Sequence, residues 1–181
     1  MKSILALFIT VSLYSMTLTE EFFRMSAVQQ DVLKQAHHIG GYTLAGQVWQ
    51  ESQAGKYRVG LNTNGSADLG VAHINSSSFL TRWYKEHPKH LRSPFYDNIL
   101  LSKLMIDDEF NLSYAMKERN YWKVKRGRDP EDVIKSYNCG NNIKRQRCVN
   151  YLKVIQDKTM VLILHLQVTG GRYEVENTQN P

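Results

Sequence analysis

Apolar positions recur at helical spacing along most of this chain, and that period predicts a string of helices interrupted once. Ser26 followed by Val28, Val32, Leu33 and Ala36 reads as a capped amphipathic helix ending near Gly40-Gly41. Tyr42 to Ser52 reads as a second helix, with Leu44, Ala45, Val48 and Trp49 on its apolar side. Between 60 and 70 the character changes. Gly60, Asn62, Asn64, Gly65 and Ser66 are turn formers between short strand-like pieces, which predicts a small β-hairpin. Helices are predicted at Phe79 to Tyr84, Tyr96 to Met105 and Phe110 to Trp122, the last two parted by Asp107-Asp108-Glu109. Asp129-Pro130-Glu131 is a helix start, with a capping Asp and Pro in the first turn. Ile143 to Ile155 predicts a further helix. Met160 to Val168 is an apolar run whose period fits a strand or a helix continuation equally. The tail from Gly170 is polar and expected to be loose. The fold class expected is mainly α (α+β): a single helical domain with a small β-hairpin insertion.

Composition narrows the classes. With 42% hydrophobic and 22% charged residues in 181, the chain can bury one real core and is not a disordered polymer. Two cysteines cannot build a disulfide-dense scaffold. Cys139 and Cys148 could close one small loop or stand as two buried thiols. The net charge of +6 suits acidic partners: nucleic acid, anionic lipid or an anionic wall polymer. Met1-Lys2-Ser3 followed by the apolar stretch Ile4 to Tyr14 fits a secretory leader. Rival readings are an uncleaved membrane anchor, which would be the one membrane contact, and a buried first helix. The expected organisation is a leader over 1–19, a domain over 20–159 and an extension over 160–181. Export would place the chain in the periplasm or cell envelope, where a disulfide is tolerated.

The candidate chemistry lies in Glu51-Ser52 and the following Asn62 to Ser76 stretch. Glu51 ends an apolar helix beside Trp49 and Val48. A carboxyl held against apolar surface favours its neutral form, so it can carry a proton at neutral pH and give it to a leaving oxygen. Asp68 follows in a polar turn-rich segment, where a carboxylate stays ionised. Two acids in contrasting settings are what glycosidic bond cleavage uses.

Three short motifs occur in order. They are Glu51-Ser52, then Asp68-Leu69-Gly70-Val71-Ala72-His73-Ile74-Asn75-Ser76, then Tyr137-Asn138-Cys139-Gly140. Between the second and third, Asp108-Glu109-Phe110-Asn111-Leu112 opens a helix. Together, over roughly residues 26 to 155, they resemble the soluble lytic transglycosylase catalytic domain of the lysozyme-like superfamily. The resemblance is nearest to the small exported transglycosylases of bacterial secretion and conjugation systems. It implies a lysozyme-like fold acting on peptidoglycan glycan strands without cofactor or metal, with a secretion or conjugation apparatus as a further partner. It implies Glu51 as general acid and then base, so that the muramyl 6-hydroxyl attacks the anomeric carbon and leaves a 1,6-anhydro end. It also implies supporting roles. Ser52 would orient Glu51, and Gly70 would let backbone approach the sugar. Tyr137 would hydrogen-bond near Glu51, and Asn138 would support the turn. His73 and Asn75 would contact or frame the substrate.

The family pattern has Gln, Met and Ala where this chain has His73, Ala72 and Cys139. Ala72 would remove a bulky wall of the groove; His73 could contact sugar or pack in the core. The offset of 17 from Glu51 to Asp68 also resembles c-type animal lysozymes. That keeps a hydrolytic muramidase as a rival, against an Asp68 that only braces the hairpin. An inactive glycan-binding or scaffold protein is the rival from another class. His37-His38 and His87-Pro88-Lys89-His90 lack a metal-ligand pattern and read as surface histidines. Lys117, Arg119, Lys123, Lys125, Arg126 and Arg128 surround Tyr121-Trp122. Such a mixture can bind single strands of nucleic acid, but a solvated face drawn to anionic wall polymer accounts for it, and no nucleic acid is expected.

Overall fold

The computed structural model of the chain describes residues 17–168. Helix α1 covers 17–23 and α2 spans Ala27–Ser52. Three strands follow: β1 at Val59–Leu61, β2 at Ala67–Leu69 and β3 at Ile74–Asn75. Then come α3 (Ser76–Glu86), α4 (Pro94–Ile106), α5 (Asp108–Lys125), α6 (Pro130–Cys139) and α7 (Gln146–Val168). The domain is mainly α with one small antiparallel sheet, in the order β1-β2-β3. The sheet has one strand more than the hairpin expected from the turn residues. The third strand is only Ile74–Asn75, too short to carry a period of its own.

Local chemistry explains the helix starts. Ser26 and Gln29 form a reciprocal capping box. Ser93 caps α4 ahead of Pro94, and Asp107 caps α5 by accepting from the Phe110 amide at 2.9 Å. Asp129 accepts from the amides of Glu131 and Asp132, with Pro130 in the first turn of α6. The two helices expected on either side of Gly40-Gly41 form one span broken at that pair, where the backbone leaves helical angles.

Two helix starts differ from the sequence pattern, and one open alternative is decided. Helix α3 starts at Ser76, before Phe79, because the Asn75 side chain caps it by accepting from the Ser78 amide at 3.2 Å. Helix α7 starts at Gln146 rather than Ile143, after a turn in which the Arg145 amide donates to Asn142 O at 3.2 Å. The Met160 to Val168 run continues α7. Met160 and Leu164 are each 57% exposed while Leu162 is fully buried, which strand alternation could not produce.

The packed unit also outruns the expected boundaries of 20 and 159. Leu18 lies in the core before the first, and Val161 and Leu162 lie in it after the second. Most of the expected leader and the tail from Gly170 lie outside the described residues.

Helix α7 packs along α2 and also meets α6. Leu33, Leu44, Val48 and Trp49 of α2 meet Phe79, Leu104, Leu112 and Leu162 in one buried cluster. A smaller cluster of Ile134, Tyr151, Leu152 and Ile155 joins α6 to α7. Cys139 and Cys148 form a disulfide across those two helices, with Cα atoms 6.1 Å apart. Closing so short a loop is worth roughly 2–3 kcal/mol. Replacing both cysteines with serine is expected to cost about that much in urea unfolding. An unchanged midpoint would show that packing alone holds α6 to α7.

Candidate active site

A broken helix and a three-stranded sheet meet at one open groove of about 910 Å³. Glu51, on the last turn of α2, lines it, with Asp68 and His73 from the sheet region and Tyr137 and Asn138 from α6. Helix α3 supplies a wall through Ser77, Ser78, Thr81, Arg82 and Lys85, and α5 faces it with Glu118, Tyr121 and Trp122.

Only 14% of the Glu51 side chain is exposed. Burial pushes its carboxyl from the usual 4.5 up to about 7, and the nearby Asp68 charge pushes the same way. Tyr151 and the Lys158 ammonium pull in the other direction without cancelling it. The Tyr151 hydroxyl donates to Glu51 Oε1 at 2.5 Å. Burial, and after it the Glu51 charge, hold Tyr151 well above its ordinary range, so it stays a donor at neutral pH. With Oε1 accepting that bond, the carboxyl proton belongs on Oε2. Lys158 is 6% exposed and lies 5.0 Å over the Trp49 ring; burial lowers its pKa, while Glu21 and Glu51 favour its charge.

His73 faces Oε2 with Nδ1 at 3.9 Å, beyond hydrogen-bond range. Its Nε2 lies 2.8 Å from Tyr57 O. A carbonyl only accepts, so Nε2 carries a hydrogen and Nδ1 is the ring nitrogen turned toward the acid.

The segment from Leu69 to His73 is pinned by three side chains. The Ser52 hydroxyl donates to Val71 O at 2.6 Å and accepts from the Gly55 amide at 2.8 Å. Asn111, fully buried, donates to Leu69 O and Leu104 O at 2.9 Å each and accepts from the Ala72 amide at 2.8 Å. The Tyr137 hydroxyl donates to Ala72 O at 2.9 Å. Arg58 forms a two-pronged ion pair with Asp108 at the start of α5, which ties β1 to the same helix.

Several expected roles therefore shift. Tyr137 holds the Ala72 backbone, and Tyr151 is the residue that holds Glu51. Ser52 fixes the loop beside Glu51, not the carboxyl itself. Gly70 is buried with φ +76, and its missing side chain makes room for Asn111 and Leu104 O rather than for a sugar. Ala72 is 1% exposed, so it is core and not groove wall. Asn75 spends its amide hydrogens on Ser66 Oγ and Asp68 Oδ1, both at 2.9 Å, and its oxygen on the α3 cap, which makes it a brace. Asp68 faces the groove from that brace. Its bond goes to the Asn75 side chain rather than to hairpin amides. Asn138 is exposed on the groove rim.

Two residues escaped the sequence reading. Tyr151 sits 100 positions from Glu51, so no local spacing links them. Asn111 left a usable trace, a polar residue at a buried helical position beside Leu112 and Ala115.

Among the described residues, no three His, Cys, Asp or Glu side chains gather as a metal-holding group. His87 stacks on Trp83 with ring centres 4.0 Å apart, His90 bonds the Tyr96 hydroxyl, and His37 packs on Tyr42. Comparisons with family models, with characterised proteins and with solved structures find no match to this chain.

Proposed function

We propose that this chain is a peptidoglycan lytic transglycosylase cleaving the β-1,4 bond between N-acetylmuramic acid and N-acetylglucosamine. One observation carries the reading: a largely buried carboxyl with pKa near 7 opens onto a groove and is held through one oxygen by a tyrosine. Glu51 gives its Oε2 proton to the glycosidic oxygen as that bond breaks. The carboxylate so formed takes the proton of the muramyl 6-hydroxyl, whose oxygen bonds the anomeric carbon. The product is a 1,6-anhydro ring, and Glu51 is again protonated without water entering. Cleavage at the cell envelope, beside a secretion or conjugation apparatus, belongs to the same proposal. The Cys139–Cys148 bridge suits an oxidising compartment. Among the described residues no helix is long and apolar enough to cross a membrane.

A hydrolytic muramidase is the second reading, favoured by Asp68, which lines the same groove as Glu51. A carboxylate there would support a glycosyl intermediate that water resolves. Mass spectrometry of digested peptidoglycan separates the two. Anhydro ends are lighter than hydrolysed ends by one water, about 18 Da, so their presence supports the transglycosylase. Reducing ends would replace it with the muramidase. Glycan binding without release would leave a scaffold.

Tyr151 is a positioning residue in this scheme. Glu51 must hold its proton in the free enzyme, so kcat/KM should fall as pH rises past about 7. The Tyr151 bond lowers the Glu51 pKa. Tyr151→Phe should therefore move that descending limb to higher pH while cutting the maximum about tenfold. A lowered maximum with the limb unmoved would mean that Tyr151 only packs.

A further inference from the structure

Ser77, Thr81 and Lys85 stand at four-residue intervals on one face of α3, and all line the groove. The wall thus runs about 12 Å from the sheet toward Lys85. Along it the charges are unevenly matched. Arg82 pairs with Glu118, whose carboxylate also accepts from Trp122 Nε1 at 2.9 Å. Glu86, next to Lys85, is engaged by Lys117 at 2.9 Å. Neither nearby carboxylate remains for Lys85, and no ion pair to it occurs among the described residues. The exposed Tyr121 ring of α5 lines the same groove, 5.5 Å from the Arg82 guanidinium.

We infer that this end of the groove takes the carboxylate-bearing substituent on the 3-oxygen of muramic acid, so that the chain distinguishes wall glycan from neutral β-1,4 glycan. The inference rests on the transglycosylase reading and deepens it by naming the part of the substrate that is recognised. Asp68 puts a carboxylate on the sheet side of the groove, which disfavours an anionic strand there. An uncompensated cation farther along the wall offsets that and sets the register in which the strand lies. Arg82, already spent on Glu118, holds the wall together. Two carboxylate sources share this chemistry: the peptide stem, and the lactyl acid left when the stem is removed. The stem is favoured, because Lys85 is exposed on the last turn of α3 and a protruding chain can reach it.

The test is binding, measured in a Glu51→Gln background so that no substrate is consumed. Three oligosaccharides of equal length serve as probes: stem-bearing wall glycan, the same glycan after amidase treatment, and chitin oligomers. Adding Lys85→Glu should weaken stem-bearing glycan about fivefold, more at low salt than at high, and leave chitin oligomers unchanged. Lys153→Glu on the exposed side of α7 makes the same charge change away from the groove, and should alter none of the three. Weakening of the amidase-treated glycan alone would assign Lys85 to the lactyl acid, and equal weakening of both wall glycans would show that either carboxylate serves; each result overturns the stem as its particular ligand. Equal weakening of all three, no weakening, or the same effect from Lys153→Glu would overturn the inference outright. Wild-type protein that binds wall glycan through Lys85 but never cleaves it would sink the transglycosylase reading while this one stands. Binding to none of the probes would remove both.

Discussion

Glu51→Gln is expected to cut release of glycan fragments from peptidoglycan by about 10³-fold, the loss typical of removing a positioned general acid and base. The amide keeps the volume and an oxygen for Tyr151, but it has no proton to give. The same variant should change stability in a way that depends on pH. In the wild type the folded-state pKa of about 7 exceeds the ordinary 4.5, so the folded chain binds the Glu51 proton more tightly than the unfolded chain does. That contribution is fully present below about pH 4.5 and is lost as pH rises through 7. The swing corresponds to about 3 kcal/mol. Gln does not titrate at this position. The stability of Glu51→Gln relative to wild type should therefore climb by about 3 kcal/mol between pH 4 and pH 8 in urea titrations. A flat difference would place the carboxyl in water and remove the physical basis of the proposed acid. Retained activity would do so more directly.

Gly70→Ala is expected to be the most damaging small change to the fold, at least about 3 kcal/mol. A Cβ there would collide with Asn111 Nδ2 and with Leu104 O, on a backbone at φ +76 that side chains rarely adopt. Asn111 would have to leave, and Leu69 O, Leu104 O and the Ala72 amide would lose their partner inside the core. Gly65→Ala is the matched comparison. Its φ of +80 is as unfavourable, yet nothing lies within 4 Å of the added atom. That variant should cost only about 1 kcal/mol of backbone strain. Similar losses at the two glycines would mean that the Asn111 bonds contribute little.

The periodic and capped features were readable from the chain because each is decided within one or two turns. Ser26 with Gln29, Asp129 with Pro130 and the Gly40-Gly41 break all act on their immediate neighbours. The burial of Glu51 was readable for a related reason, since Val48 and Trp49 mark the last turns of its own helix as lying in the core. Partnerships across the fold were not. Tyr137 and Tyr151 are tyrosines on two different helices, α6 and α7, and only the packing of α7 along α2 decides which one meets the carboxyl. Gly70 was expected to admit a sugar and instead admits Asn111, since a glycine reveals close approach without revealing what approaches. The extent of Met160 to Val168 was undecidable from composition, because apolar residues fill both faces and only burial distinguishes Leu162 from Leu164.

The interruption at Gly40-Gly41 has an architectural result. An uninterrupted rod of the 26 residues in α2 would measure about 39 Å, roughly the whole diameter of a body this size. Breaking the rod at mid-length lets its second half take its own direction, and that half ends with the acid bonded to Tyr151 and near Lys158. Two alanines in place of the pair are expected to favour a straight rod and to strain the Glu51–Tyr151 bond, so the partner of the reacting group depends on a hinge about ten residues away.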